Sequence, residues 1–176
     1  MEWLLIAVVA IALAFDYTNG FHDAANAVAT SISTRAVPPN VALAAAAVLN
    51  VVGALVSTNV AATLAKGIVE ASAVTGPVML GGLIGAIAWN LLTWWWALPS
   101  SSSHCLVGGV AGAVIATTGT AAVKWEGIVE KVLIPTLIAP VIGFTVGIAL
   151  MVALLWAFGH ARPNTLSRRF RVAQLV

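Results

Sequence analysis

The stretch Phe15-Asp16-Tyr17-Thr18-Asn19-Gly20-Phe21-His22-Asp23-Ala24-Ala25-Asn26-Ala27-Val28-Ala29-Thr30-Ser31-Ile32-Ser33-Thr34 decides how this chain is read. It holds two of the six acidic residues and a dense run of side-chain oxygens, with apolar sequence on both sides. On a helix, at about 100° per residue, Asp16, Asn19, Asp23, Asn26, Thr30 and Thr34 share one stripe roughly 80–100° wide. Ala25, Val28, Ala29 and Ile32 take the opposite face. Inside a membrane protein, such a stripe is a place where an ion or polar solute is held.

The surroundings are those of a membrane protein. Of 176 residues, 61% are apolar and 8% charged, with mean hydropathy +1.02. A soluble domain carries about 25% charge. The basic pI of 9.1 reflects 8 basic against 6 acidic side chains, which is no signature of nucleic-acid binding. A single cysteine, Cys105, excludes an internal disulfide and reads as a small buried side chain. No basic residue precedes the apolar run at Trp3, so that run reads as mature protein rather than a cleaved signal.

Trp3 to Phe15 is about 20 Å of helix, too short to cross a core of about 30 Å, so the crossing must use part of the polar stretch. We expect a break at Asn19-Gly20, freeing backbone groups near the midplane as many transporter sites do. Arg35 and Pro38-Pro39 end the segment. Further spans are expected at Asn40/Val41–Leu64, Val78–Leu98, a small-residue helix to about Ala116, and Leu133–Phe158 bent near Pro140. Charged loops lie at Lys66–Glu70 and Lys124–Lys131. The fold class is therefore all-α: a polytopic transmembrane helical bundle over 1–176, with residues 78–116 either crossing fully or forming a re-entrant hairpin around Pro99–Ser103. In both cases that segment returns to its own side, so net crossings are odd and the termini lie on opposite sides. Arg162, Arg168, Arg169 and Arg171 put the C-terminal tail (162–176) in the cytoplasm with Arg35, and the N-terminus outside. Tryptophans 3, 94–96, 125 and 156 sit near span ends as interfacial anchors. Gly108-x-x-x-Gly112 and Gly143-x-x-x-Gly147 read as close-packing faces.

Two polar sites emerge. In Pro99-Ser100-Ser101-Ser102-Ser103-His104, proline stops one helix and serines cap the next. That gives free N–H groups and hydroxyls for an oxyanion such as phosphate, or simply a capped loop. The Asp23 stripe offers oxygens for a hard cation, or a carboxylate to carry a proton; the alternative is capping or interhelical bonding. Asp16 has the same two readings nearer the surface. His22 and His104 either relay protons or bond a neighbouring helix, and Asn50 and Asn90 read as interhelical glue more readily than as ligands. An anion moved with a compensating cation needs both sites.

Gly20-Phe21-His22-Asp23-Ala24-Ala25-Asn26-Ala27-Val28-Ala29-Thr30 resembles the signature Gly-x-(Asn/His)-Asp-x-Ala-Asn-x-x-(Ala/Gly)-Thr of the PiT family of inorganic phosphate transporters. Leu98-Pro99-Ser100-Ser101-Ser102-Ser103-His104 with Leu106-Val107-Gly108-Gly109 is similar to that family's second hallmark. Ala65-Lys66-Gly67-Ile68-Val69, Trp89-Asn90-Leu91 and Lys131-Val132-Leu133 extend the likeness over most of the chain. The resemblance implies two inverted repeats of which this chain looks like the first, with Arg168-Arg169-Phe170-Arg171 similar to the segment before the second signature. It implies that Asp23, Asn26 and Thr30 help bind cation and phosphate and that Ser101, Ser102 and Ser103 help bind phosphate; Asp16 and His22 join Asp23 as candidates for cation or proton coupling on their own chemistry. Asp23 and Asn26 would serve sodium if sodium, rather than the favoured proton, is the co-transported ion. The expected reading is a cation-coupled phosphate symporter of the inner membrane, working by alternating access without a resident cofactor. Its partners would be phosphate, free or as a metal–phosphate complex, the lipid bilayer, and a second half-repeat chain or second copy. The alternatives are an inactive membrane fragment and an intramembrane hydrolase using a serine of 100–103 with His104, which lacks an orienting acid.

Overall fold

The computed structural model describes residues 2–56, 67–98 and 100–158. Five helices make up most of it: α1 (Glu2–Ser33), α2 (Pro39–Val56), α3 (Gly76–Trp95), α4 (Ser102–Thr118) and α5 (Trp125–Phe158). α1, α2, α3 and α5 are each long and apolar enough to cross a membrane. The expected arginine tail, Pro99, and the Ser57, Thr58, Asn59 and Lys66 portion of the second span and loop lie outside the described residues.

α1 runs unbroken through Asn19-Gly20, against the expected break. One interior glycine costs a helix only about 1 kcal/mol, whereas a break in an apolar bundle strands several backbone groups with no water to bond. Thr18, just before the glycine, turns its hydroxyl back to Phe15 O at 2.8 Å. The helix is about 48 Å long at 1.5 Å per residue, well beyond the hydrocarbon thickness. It closes in a paired-bond cap: Ala36 N–H bonds Ser31 O and Arg35 N–H bonds Ile32 O, each at 3.0 Å, with Arg35 left-handed at φ 56°. α2 then doubles back, its Ala42 packing with Val37 and Val28.

α3 and α4 form a helical hairpin whose two ends are tied together. An antiparallel bridge joins Val69 to Val123; Glu70 N–H reaches Ala122 O at 3.0 Å, and Lys124 N–H reaches Ile68 O at 2.8 Å. Ile68, Val69, Val78, Val114 and Val123 bury a small apolar core behind this closure. The two ends of the hairpin therefore lie side by side. Its helices meet on a glycine seam that is not the one expected. A methyl group on Gly109 would overlap the Gly82 carbonyl oxygen, and one on Gly82 would press on the Val110 backbone. Gly108, Gly112, Gly143 and Gly147 instead have open space where a Cβ would go.

At the tip, α3 ends in the same kind of cap: Leu98 N–H bonds Thr93 O at 2.9 Å and Ala97 N–H bonds Trp94 O at 3.0 Å, with Ala97 at φ 52°. Ser101 then caps α4, its Oγ accepting from His104 N–H at 3.4 Å. α1 lies along this hairpin from base to tip. Gly76 abuts Leu4, and Phe15 packs with Leu83, Ala86 and Cys105.

α5 rises from the hairpin base. Glu126, Glu130 and Lys131, expected in a loop, belong to its first turns. A wide π turn occupies Val129–Leu133, with Ile134 N–H reaching back five residues to Val129 O. Pro135 accounts for it: proline offers no N–H to Lys131 O and its ring crowds that carbonyl, which a wider turn relieves. The helix continues through Pro140, and nothing from Ile134 to Phe158 is buried within the chain.

The glycine seam yields a paired test. Gly109→Ala should lower the thermal stability of the detergent-solubilised protein by about 1–3 kcal/mol through overpacking. Gly112→Ala, facing open space, should leave the melting temperature unchanged or raise it.

Candidate functional site

Polar groups in the hairpin come together because α3 is almost wholly apolar. Its two non-aromatic polar side chains, Asn90 and Thr93, follow Ala86 at helical spacing and are buried on one face. α1 answers with a buried face of Phe15, Thr18 and His22, and α4 with Ser102 and Cys105. The tip thus docks on α1 at Asn19–Asp23.

The docking contacts centre on one hydroxyl. Ser102 Oγ lies 2.5 Å from Asp23 Oδ2 and 2.6 Å from Asn19 Oδ1. A serine hydroxyl donates one proton, so both contacts are satisfied when Asn19 turns its amide N–H₂ toward Ser102, or when Asp23 carries a proton of its own. The second carboxylate oxygen, Asp23 Oδ1, lies 3.1 Å from His22 Nδ1. The His22 side chain is 5% exposed and the Asp23 side chain 42%, so the carboxylate keeps an open side. His22 Nε2 faces Thr93 Oγ1 at 3.5 Å, and Thr93 Oγ1 also meets Trp89 O at 2.9 Å, Asn90 O at 3.1 Å and Ser100 Oγ at 3.2 Å. Outside this network, Phe21 packs edge-on against Trp94 at 5.4 Å and against Tyr17 at 5.7 Å.

Beside the tip is a cavity of about 450 Å³ lined by Trp89, Ser100, Ser101, His104, Cys105 and Gly108. Its polar lining holds hydroxyls, an imidazole and a thiol but no carboxylate, at the first turn of α4. That suits an oxyanion, which accepts from several donors at once. A second cavity of about 290 Å³ separates α4 from α5, with Ser103, His104, Lys131 and Thr136 among its walls.

The sequence-predicted residues distribute unevenly around these features. Asp23 and Ser102 touch, and His22 joins them. Ser101 and Ser103 are exposed on opposite cavities. Asp16, Asn26 and Thr30 are exposed on α1, the last two beyond the tip docking point. His104 bonds a neighbouring helix, Nε2 to Thr136 Oγ1 at 2.8 Å. Asn50 folds onto its own helix, Nδ2 to Ala46 O at 2.9 Å, rather than bridging helices. Asn90 is 1% exposed, and neither amide atom has a partner. Thr93 was missed, and Ser100 was read as part of the serine loop with no role of its own. For Thr93 the signal was its isolation with Asn90 in an otherwise apolar span; Ser100 offered no sign separating it from the serines beside it.

The sequence profile of the phosphate transporter family matches residues 19–176. The chain belongs to that family. A protein of Streptomyces halstedii named "Probable low-affinity inorganic phosphate transporter" is 51% identical over 98% of this chain and 81% of its own length. Similarly named proteins of Mycobacterium leprae and Bacillus subtilis are 50% and 43% identical over 98% of this chain. The chain spans only 42% and 52% of those two relatives. A solved sodium-dependent phosphate transporter superposes with TM-score 0.82 at 28% identity, over 95% of this chain and 42% of that one. These are transporters, not enzymes, and nothing supports the hydrolase alternative: His104 bonds Thr136 through Nε2 instead of a serine hydroxyl.

Cys105, buried beside the cavity and 3.7 Å from Ser100 Oγ, reports on the docked tip. Ser102→Ala removes the hydroxyl holding the tip to Asp23. Maleimide labelling of Cys105 in native membranes should then accelerate several-fold; an unchanged rate would mean Ser102 does not hold the tip closed.

Proposed function

We propose that this chain is one half of a cation-coupled inorganic phosphate symporter, multi-pass in the cell membrane, with the proton as coupling ion. The observation that carries the reading is the contact between Asp23 and Ser102, 79 positions apart. It joins the acidic stretch of α1 to the serine loop of the hairpin, so a group suited to a cation and a set of donors suited to phosphate share one place. Depth supports it too. Asn19 and Asp23 are the eighteenth and twenty-second of the 32 residues of α1. A helix with its ends at the two surfaces therefore carries them between its middle and two-thirds of the way along. The hairpin tip docked there ends inside the membrane, which favours the re-entrant form.

On this reading phosphate settles against Ser100, Ser101 and the first turn of α4, near Ser102. A bare Asp23 carboxylate repels the anion, so a proton on the His22–Asp23 pair precedes or accompanies phosphate. Exposed Asn26 and Thr30 complete the site from the α1 side. The open side of Asp23 and the bare apolar face of α5 suit a second repeat, supplied by a partner chain or a second copy. Movement of the hairpin against α1 then exposes the site alternately. The N-terminus and hairpin base lie outside and Arg35 in the cytoplasm.

Radiolabelled phosphate uptake tests this, in cells lacking their own phosphate carriers or in vesicles containing the chain with and without its second-half partner. Asp23→Asn should abolish uptake and Asp16→Asn should reduce it much less. Wild-type uptake retained by the Asp23 variant would sink the site assignment, and no phosphate uptake in either preparation would sink the function.

A further inference from the structure

We propose that Thr93 is a positioning residue that fixes the tautomer of His22, and thereby makes the His22–Asp23 contact carry one dissociable proton. The argument is an inventory of protons around a single buried imidazole. Thr93 has one hydroxyl proton. Its two nearest acceptors, Trp89 O at 2.9 Å and Asn90 O at 3.1 Å, are backbone carbonyls that can only accept. Either can hold the proton in the back-bond that threonine makes inside helices. Ser100 Oγ, 3.2 Å away, is a third acceptor within reach of the same proton, and whichever of the three takes it, Thr93 Oγ1 keeps a lone pair to offer His22 Nε2 at 3.5 Å. The contact with His22 is long, and its direction follows from where the Thr93 proton already is. His22 presents N–H at Nε2.

With Nε2 protonated, Nδ1 of a neutral His22 is a lone pair aimed at Asp23 Oδ1 from 3.1 Å. Two acceptors at that distance repel. The contact is satisfied when one more proton lies between them, written as imidazolium and carboxylate or as neutral imidazole and carboxylic acid. Either form leaves the pair neutral with the same proton count. One assignment satisfies the whole network: imidazolium His22 donates to Thr93 and Asp23, Ser102 donates to Asp23 Oδ2, and the Asn19 amide donates to Ser102. Remove the proton and the pair must part, or Thr93 must give up its backbone bond.

No other charged group blurs this inventory among the described residues. α2 and α3 carry no titratable side chain. α4 carries two, Cys105, which meets Ser100, and His104, turned to Thr136 on α5. α1 adds Glu2 at its far end, Asp16 and Tyr17, all exposed. The transport consequence rests on the proton-coupled reading above, whereas the tautomer is a property of the resting protein and is measured without transport.

The experiment therefore has two arms. In the first, ¹⁵N-histidine-labelled full chain in lipid nanodiscs is followed by imidazole ¹⁵N shifts between about pH 5 and 8, with His22 assigned by its loss in His22→Asn. The neutral form of His22 should be the Nε2–H tautomer. Thr93→Val should switch it to Nδ1–H, which bonds Asp23 with no added proton, and Thr93→Ser should restore Nε2–H. A neutral wild-type His22 protonated at Nδ1 overturns the proposal even if Thr93→Val does not fold. An unswitched tautomer in a folded Thr93→Val also overturns it. In the second arm, phosphate uptake into vesicles should rise by up to about tenfold per pH unit on acidification in the wild type and Thr93→Ser. It should flatten to less than about twofold in Thr93→Val. An unflattened profile in Thr93→Val counts against the proposal. No uptake in any variant overturns the function reading and leaves the tautomer arm to decide on its own.

Discussion

A carboxylate carried into an apolar helix bundle has to be given hydrogen-bond partners, and in this chain three side chains on two helices converge around Asp23. Burying an ionised carboxyl without partners is prohibitive, whereas one held by hydroxyl, imidazole and amide neighbours is tolerable. Ser102 reaches it from the start of α4, His22 from the adjacent position on α1, and Asn19 through Ser102 from one turn earlier. α1 is anchored where it is by this requirement as much as by the apolar packing of Phe15 against Leu83, Ala86 and Cys105.

The remaining architecture serves to bring Ser102 to that place. The bridge between Val69 and Val123 fixes the two ends of the hairpin, and the Gly82–Gly109 approach lets its helices run close together. The left-handed Ala97 then turns the chain sharply enough for Ser101 to cap α4. Loss of closeness at the seam would translate into displacement of the tip, which is otherwise held laterally by α1 and by the His104–Thr136 contact to α5.

Much of this was legible in the sequence, for physical reasons that also explain the failures. Composition fixed the helical membrane class, and the helical stripe picked out Asn19 and Asp23, because both rest on periodicity and charge cost alone. The serine loop was legible as a helix start because proline and serine act locally. The break at Asn19-Gly20 was misjudged: a glycine in isolation weakens a helix, but the missing alternative partners for the backbone outweigh it, and those are a property of the surroundings. The glycine seam was misplaced by one residue, since Gly108 and Gly109 are equivalent in sequence and only the hairpin's rotation distinguishes them. Thr93 went unseen because its role depends on where its proton is committed, which requires the Trp89 carbonyl 2.9 Å away.

The length of α1 carries a further consequence. A helix about 48 Å long, set against roughly 30 Å of hydrocarbon, must lean, protrude or thicken the bilayer around it. α3 is fastened along α1 at both ends, by Leu4 against Gly76 and by His22 against Thr93, so the hairpin leans as α1 does. The depth of the polar cluster is thus geared to the thickness of the surrounding lipid. A protein so built has the acyl chain length of its host membrane as one of its working coordinates.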